Sequence, residues 1–207
     1  MNLNNTAPVL HAERAPSRQK RTSAETSVIS SKILVSGGFG AGKTTFVGSV
    51  SEIKPLTTEA LMTTASIGTD LIDKIPYKST TTVAMDFGRV SLADDLLLYL
   101  FGTPGQERFW FMWDRLVYGA IGAIVLADTR RLADAFASVD FFENRKLPYI
   151  VGVNLFDGVQ HHELSAVRSA MSLPPSIPLV SCDARERDSV KLALLSLVEY
   201  VMKEWSD

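Results

Sequence analysis

The sequence predicts a three-layer α/β domain built on a six-stranded, mostly parallel sheet with one antiparallel strand. Three observations carry this. From Ser31 onward, short apolar runs alternate with helical patterns. Near-continuous apolar runs suit strands covered on both faces, and their alternation with helices is the mark of a parallel sheet. Two of the runs are separated only by a polar turn at Asp94–Asp95, too short for anything but an antiparallel hairpin. Finally, the stretch "SGGFGAGKTT", Ser36 to Thr45, joins the first strand to the first helix with four glycines, followed by a lysine and two threonine hydroxyls.

Taken in order, the strands are "KILVSG", "TTVAMDFGRVSL", "DLLLYLFG", "AIGAIVLAD", "LPYIVGVN" and "IPLVSC". The helical patterns run from Lys43 to about Val50, Glu107 to Tyr118, Leu132 to Lys146, His162 to Ser172 and Asp188 to Trp205. Residues 31–207 form one domain, and a chain of 207 residues that is 46% hydrophobic can bury a full core. Residues 1–30 differ: rich in Asn, Ser, Thr, Ala and Pro, with Arg14, Arg18, Lys20 and Arg21 and no apolar period. They read as a disordered tail, either without specific function or a weak basic tether. The connection Ser51 to Lys78 is long, and its "TTEALMTTAS" reads as an extra helix or a mobile loop.

Composition excludes several classes. A formal net charge of −2 implies no general affinity for nucleic acid or acidic lipid. The lone Cys182 cannot form an internal disulfide, which favours a reducing compartment. The longest apolar run, Tyr118 to Ala127, falls far short of the roughly 18 residues a membrane span needs. No apolar leader precedes the domain, so a cytoplasmic protein is expected, with any membrane attachment peripheral and through partners.

The glycine-rich stretch carries the first chemistry. Gly37, Gly42, Lys43 and Thr44 match G-x-x-x-x-G-K-[ST] after a strand and at a helix start. A loop whose backbone N–H groups point inward must avoid Cβ clashes, so Gly38 and Gly40 beside Phe39 and Ala41 suit it. Those N–H groups and the positive helix end cradle phosphates. Lys43 adds a cation for the β- and γ-phosphates, and Thr44, followed by Thr45, offers a hydroxyl to Mg²⁺. The domain is therefore expected to be a P-loop nucleotide-binding domain.

The run after the "DLLLYLFG" strand, "LFGTPGQERFWFMWDRLVYGA", resembles switch II of the Ras-like small GTPases, especially their Rab and Arf branches. Gly105, Gln106 and Glu107 match Asp-x-x-Gly-Gln-Glu, and "ERF" and "GA" continue the match. The resemblance implies a Ras-like G domain in which the Gly105 N–H senses the γ-phosphate and Gln106 orients the attacking water. Gly102 stands where that family has a Mg²⁺-holding aspartate. With the hairpin turning at Asp94–Asp95, paired residues sum to about 189, which sets Asp86 opposite Thr103 and makes it a candidate replacement carboxylate. This departure, with "TVAMDFG" and "TPGQ", is similar to bacterial small GTPases related to the gliding-motility switch protein, and closest to the conservon-type ATP/GTP-binding proteins of actinobacteria. That resemblance implies Thr82, or its neighbour Thr81, as the switch I threonine on Mg²⁺. It also implies two partners, a roadblock-fold regulator and a sensor-kinase-like protein.

"VGVNLFDG" stands where small GTPases carry Asn-Lys-x-Asp, with Asn154 and Asp157 present and Leu155 in the lysine's place. A carboxylate at Asp157 can accept from guanine N1–H and its 2-amino group, whereas adenine offers neither donor there. "SCDAR" stands at the family's Ser-Ala-Lys loop, making Asp183 and Ala184 candidates for N–H contact to guanine O6. His11, His161 and His162 have no metal-ligand partners at suitable spacing. Phe109, Met112, Trp113, Leu116 and Val117 follow a helical stripe and read as core. Trp110 and Phe111 do not, and read either as a partner surface or as ordinary packing.

These readings converge on a regulatory GTPase using GTP/GDP and Mg²⁺. Its intrinsic hydrolysis is expected to be slow. No arginine accompanies the switch I threonines, and Phe39 adds bulk where Ras-like proteins have glycine. Two alternatives stand beside it: a nucleotide-binding module with negligible hydrolysis or a preference for ATP, and a P-loop small-molecule kinase, for which no acidic acceptor cluster or Arg-bearing lid is found.

Overall fold

Seven strands form one sheet: β1 (Ile29–Gly37), β2 (Leu56–Met62), β3 (Thr81–Ala93), β4 (Leu96–Gly102), β5 (Ala120–Ala127), β6 (Tyr149–Asn154) and β7 (Leu179–Cys182). This is a computed structural model, and it describes residues 28–54, 56–62, 81–105 and 107–206. The strand order is β2-β3-β4-β1-β5-β6-β7. Among them β3 alone runs against the rest: it is antiparallel to both β2 and β4, and every other pairing is parallel. Six strands are those expected from sequence, and β2 extends the edge.

β2 corrects the expectation of a helix or loop at "TTEALMTTAS" as far as Met62; the remainder lies outside the described residues. Leu56 to Met62 pair in sequence with Phe87 to Thr81. Glu, Ala, Leu and Met favour helix locally, but pairing to the open edge of β3 satisfies backbone groups that a separate helix would leave unpaired, and it overrides that preference. The start of the domain also shifts. Ile29 and Ser30, placed in the tail by the sequence, pair with Leu96 and Leu97 as the first rungs of β1. Residues 1–27 of the expected tail lie outside the described residues.

Alternation along β1 feeds two cores. Ile33 and Val35 face α1 (Lys43–Val50) and α5 (Arg187–Glu204), packing with Phe46, Val47, Leu194, Leu197 and Val201. Leu34 faces the opposite layer, α2 (Trp113–Val117), α3 (Phe136–Asn144) and α4 (Leu164–Ala170), through Leu116, Val139, Phe142 and Val167. Trp113 lies stacked on Phe142 at 6.3 Å and edge-on to Phe141 at 5.0 Å, locking this side. The expected helix from Glu107 begins as a 3₁₀ segment, Glu107–Met112, before α2. Its stripe is buried at Phe109, Trp113 and Leu116 and half-buried at Met112 and Val117. Trp110 packs 5.6 Å from Trp113, whereas Phe111 is exposed. The expected helix from Leu132 likewise opens as a 3₁₀ segment, Thr129–Ala135, with a kink at Arg131.

Because the β1, β4, β5, β6 and β7 strands are parallel, their carboxyl ends share one edge of the sheet, the edge where α/β folds of this kind bind ligands. All the remaining site residues come from this edge or from the β3 hairpin beside it.

Candidate nucleotide-binding site

At the end of β1, Gly37 leads into the loop Gly38–Gly42 and then α1, the strand–loop–helix order that the motif requires. Gly42 is in the left-handed region at φ 100°, and a Cβ there would lie 2.4 Å from Asn154 Nδ2. Only glycine meets both demands. Behind it, Asn154 Nδ2 donates to the Ala41 carbonyl at 3.0 Å, and Asn154 Oδ1 accepts from the Ala184 N–H at 3.1 Å. This buried amide ties the end of β6 to the phosphate loop and to the loop after β7. It holds these loops together.

Lys43 is 9% exposed, and its Nζ donates to the Gly37 and Gly38 carbonyls at 2.8 and 2.7 Å. The ammonium thus lies across the inside of the loop. Burial pushes its pKa down to about 8, and the negative charge of Asp86 opposes that fall. Thr44 Oγ1 donates to Asp86 Oδ2 at 2.7 Å. Thr45, next on the helix, is exposed.

Asp86 reaches this position by a corrected route. The expected sum of 189 holds only beside the turn, at Ala93–Leu96; a bulge between Ser91 and Ala93 then changes it, so that Phe87 pairs with Phe101. One further step sets Asp86 beside Gly102, not Thr103. A Cβ on Gly102 would lie 3.1 Å from both Cβ and Oδ2 of Asp86. The Asp86 carboxylate therefore fills the space that a side chain at position 102 would occupy. It is 9% exposed. Thr103 plays another part: its Oγ1 donates to Ser36 Oγ at 2.9 Å, and Ser36 in turn meets Ser138 at 2.9 Å. All three hydroxyl residues are buried.

The segment after β4 passes directly over Lys43. Its N–H at Thr103 donates to the Val35 carbonyl at 2.8 Å, and Trp113 Nε1 donates to the Pro104 carbonyl at 3.1 Å. A Cβ on Gly105 would lie 2.7 Å from Lys43 Nζ and 3.1 Å from Phe39 Cα. Phe39 itself is 65% exposed. Gln106 lies outside the described residues. Thr82 pairs with Leu61 in β3, four residues before Asp86, and Thr81 with Met62.

At the other end of the edge, Asp157 is exposed and tied locally. Its Oδ2 lies 2.6 Å from His161 Nε2 and its Oδ1 accepts the Val159 N–H at 3.0 Å. The His161 hydrogen bond holds its carboxyl below the usual range. Asp183 is engaged likewise, by Arg185 through Oδ1 and Oδ2 at 2.9 and 2.6 Å, and its carboxyl too is held low. The N–H groups of Asp183 and Ala184, expected to contact guanine O6, are engaged within the fold: the Asp183 N–H donates to Ser189 Oγ at 3.0 Å and the Ala184 N–H to Asn154 Oδ1 at 3.1 Å. The turn after β7 consumes both donors. Between the loops after β5 and β6 lies a cavity of about 240 Å³, bordered by Asp128, Arg130, Leu155, Phe156, Asp157 and His161. The Arg130 guanidinium covers its Phe156 wall at 3.9 Å.

Sequence reasoning missed one element of the site, the 3₁₀ segment Thr129–Ala135. A Cβ on Gly38 would lie 2.4 Å from Asp134 Cβ, and Arg131 Nη2 donates to the Phe39 carbonyl. The signal available was two arginines directly after a strand that ends at the phosphate loop.

Comparison with known proteins agrees with this geometry. The family described as "Conserved hypothetical ATP binding protein" matches residues 35–204. An uncharacterized protein of Methanocaldococcus jannaschii is 31% identical over 128 residues, 61% of this chain and 70% of that one. A probable translation initiation factor IF-2 of Thermofilum pendens is 25% identical over 178 residues, 84% of this chain but only 28% of that protein. Among solved structures, the G domain of the T. maritima FeoB iron transporter superposes with a TM-score of 0.55 at 16% identity, covering 84% of this chain and 98% of that one. The cytosolic domain of the same transporter in apo form gives 0.58 at 14% identity, covering 84% and 64%. The fold is that of a G domain, and the chain, a nucleotide-binding P-loop domain, belongs to the conserved hypothetical ATP binding protein family.

Proposed function

We propose that the chain is a regulatory GTPase that binds GTP and GDP with Mg²⁺, hydrolyses GTP slowly on its own, and changes partners with the nucleotide. The observation that carries this reading is the contact between Gly105 and Lys43. A Cβ at 105 would lie 2.7 Å from Nζ, so a γ-phosphate held by Lys43 must also meet the segment that leads into Gln106. The conformation of that segment then depends on whether the γ-phosphate is present, which is the basis of a nucleotide switch.

Thr44 and Asp86 suit a hard cation: a hydroxyl and a carboxylate oxygen, 2.7 Å apart, directly after the phosphate loop. Among the described residues no three His, Cys, Asp or Glu side chains gather as a metal cage. Mg²⁺ commonly completes its shell with phosphate oxygens and water rather than with protein. In this reading Thr44 would hold the ion directly, Thr82 would join it in the triphosphate state, and Asp86 would support it through its hydration water. The ion would neutralise charge developing on the phosphates. Gln106 would orient the attacking water, and Phe39 would crowd it.

The resemblance to conservon-type proteins adds partners: a roadblock-fold regulator and a sensor-kinase-like protein. Exposed Phe39 and Phe111 offer them apolar contacts near the segment that switches. No helix among the described residues is long and apolar enough to cross a membrane.

A second reading, binding of an adenine nucleotide, is favoured by Leu155 in place of lysine and by the local partners that already occupy Asp157 and Asp183. Titration calorimetry with GDP and ADP in Mg²⁺ separates the two. The GTPase reading expects GDP to bind at least tenfold more tightly; preference for ADP would replace it. Single-turnover hydrolysis of GTP tests the enzyme. Slow turnover that falls further in Gln106→Ala is expected. Rapid turnover insensitive to Gln106→Ala would overturn the mechanism, and a faster Phe39→Gly would show the crowding directly.

A further inference from the structure

We infer that Arg131 is a positioning residue for phosphate binding, acting from outside the loop through the Phe39–Gly40 peptide. This rests on the phosphate-loop reading of Gly37–Thr44 and adds to it a residue outside the motif. Three observations meet here. Arg131 Nη2 donates to the Phe39 carbonyl. The same nitrogen would lie 3.5 Å from a Cβ at Gly40, so the guanidinium lies along that peptide and does not merely touch its oxygen. Arg131 Nε also faces Asp134 Oδ2 at 3.5 Å, while the Asp134 Cβ sits in the space of a side chain at Gly38. The 3₁₀ segment thus grips the loop at Gly38, Phe39 and Gly40.

The physics follows from the peptide's own dipole. The Phe39 carbonyl and the Gly40 N–H belong to one planar amide. A cation donating to the oxygen draws electron density from the nitrogen and makes that N–H a stronger donor. Charge-assisted hydrogen bonds are roughly twice as strong as neutral ones, and hydrogen bonds in series polarise one another. The brace also fixes the peptide plane, so less order has to be acquired when phosphate arrives. Asp134 keeps the guanidinium in place and has its own charge offset by it. Without Arg131, the Asp134 carboxylate would stand unpaired beside the loop and oppose the arrival of phosphate.

The test is nucleotide dissociation constants by calorimetry for the parent, Arg131→Ala, Arg131→Lys, Asp134→Ala and the double variant Arg131→Ala/Asp134→Ala. The Gly40 amide proton shift is measured in parallel without nucleotide. Arg131→Ala should weaken di- and triphosphate binding about tenfold. Arg131→Lys, which keeps a donor and the charge, should recover most of it. The Gly40 amide signal should move upfield in Arg131→Ala, and the nucleotide-free melting temperature should stay within about 2 °C. The double variant should bind better than Arg131→Ala alone, because the exposed carboxylate is gone. Unchanged affinity in Arg131→Ala would overturn the inference. So would equal losses in the Ala and Lys variants with a lowered melting temperature, which would mean plain packing. Lys43→Ala is the control: if it still binds nucleotide, the phosphate-loop reading itself fails, and if it does not while Arg131→Ala binds normally, only the role of Arg131 fails.

Discussion

The phosphate end and the base end of this site are built differently. At the phosphate end Thr44 and the loop are held by other parts of the fold, and Lys43 by carbonyls of its own loop. Lys43 is held by the Gly37 and Gly38 carbonyls, Thr44 by Asp86, and the loop by Asn154. These contacts join β1, β3, β6 and α1, and all but the half-buried Thr44–Asp86 pair are buried. At the base end, Asp157 and Asp183 are held by neighbours two to four residues away, His161, Val159 and Arg185. Local pairs of exposed charges are worth little and are readily exchanged. The difference teaches that the phosphate end is fixed largely by contacts between elements of the fold, whereas Asp157 and Asp183, in the proposed role of reading the base, would have to change partner when a nucleotide enters.

The strongest way to break this comparison is at Lys43. Lys43→Ala should abolish measurable nucleotide binding, a loss of at least about a hundredfold, while circular dichroism stays that of the parent, since Nζ meets only the phosphate loop and the segment at Gly105 and not the apolar core. Affinity within threefold of the parent, by calorimetry, would show the phosphate end to be misassigned.

Asp157→Asn tests the base end. It replaces a double acceptor by one acceptor and one donor, so guanine nucleotides should lose roughly 30- to 1,000-fold in affinity and xanthine nucleotides should gain. Fluorescent-analogue competition with GDP, XDP and ADP reads all three. Equal GDP affinity in parent and variant would make His161, not a base, the partner of Asp157.

Asp86→Ala addresses the metal. Removal of a residue that orients a metal's ligands costs about 10- to 100-fold. The Mg²⁺ concentration for half-maximal GTP binding should rise by that factor, while Mg²⁺-free GDP binding changes little. Identical magnesium titrations would return Asp86 to a purely structural role.

The smallest effect is on stability against pH. The folded pKa of Lys43 is near 8, against 10.5 for an ordinary lysine. Below pH 8 the ammonium is charged in both states and its burial costs stability. Between about pH 8 and 10.5 the unfolded chain binds a proton that the folded chain has released, so stability rises with pH. Lys32, also lowered by burial, adds a rise of the same sign. Urea unfolding of nucleotide-free parent and Lys43→Met at pH 7.5, 8.5 and 9.5 isolates the Lys43 part. The parent curve should climb more steeply, and parallel curves would mean that Lys43 stays charged throughout.

Much of the phosphate end was legible because it is written in local sequence. Strand, glycine-rich loop, lysine and helix are consecutive, and their chemistry follows from their spacing. The contacts made by Asp86, Asn154 and Arg131 are not consecutive with the loop they serve. Asp86 could be approached only by counting across a hairpin, and one bulged residue moved it by a step to Gly102. Arg131 gave no periodic signal, because its segment is a kinked 3₁₀ turn between β5 and α3. The strand β2 was hidden by helix-favouring residues whose pairing partners lie 19 to 31 positions away. The turn after β7 spends its N–H groups on Ser189 and Asn154, which no composition reveals.

The side-chain space at Gly102, taken up by Asp86, makes two positions, on adjacent strands, alternatives for one carboxylate. Gly102→Asp alone would crowd two acids into a volume that now holds one, at 3.1 Å, and one of them would have to take up a proton. Asp86→Gly alone would leave the Thr44 hydroxyl without its acceptor. Made together, the two changes restore one acid in one place, carried on β4 instead of its antiparallel neighbour β3. Each substitution is harmful alone and tolerable in company, so a lineage that carries the acid on one strand is separated from a lineage that carries it on the other by a fitness valley two mutations wide.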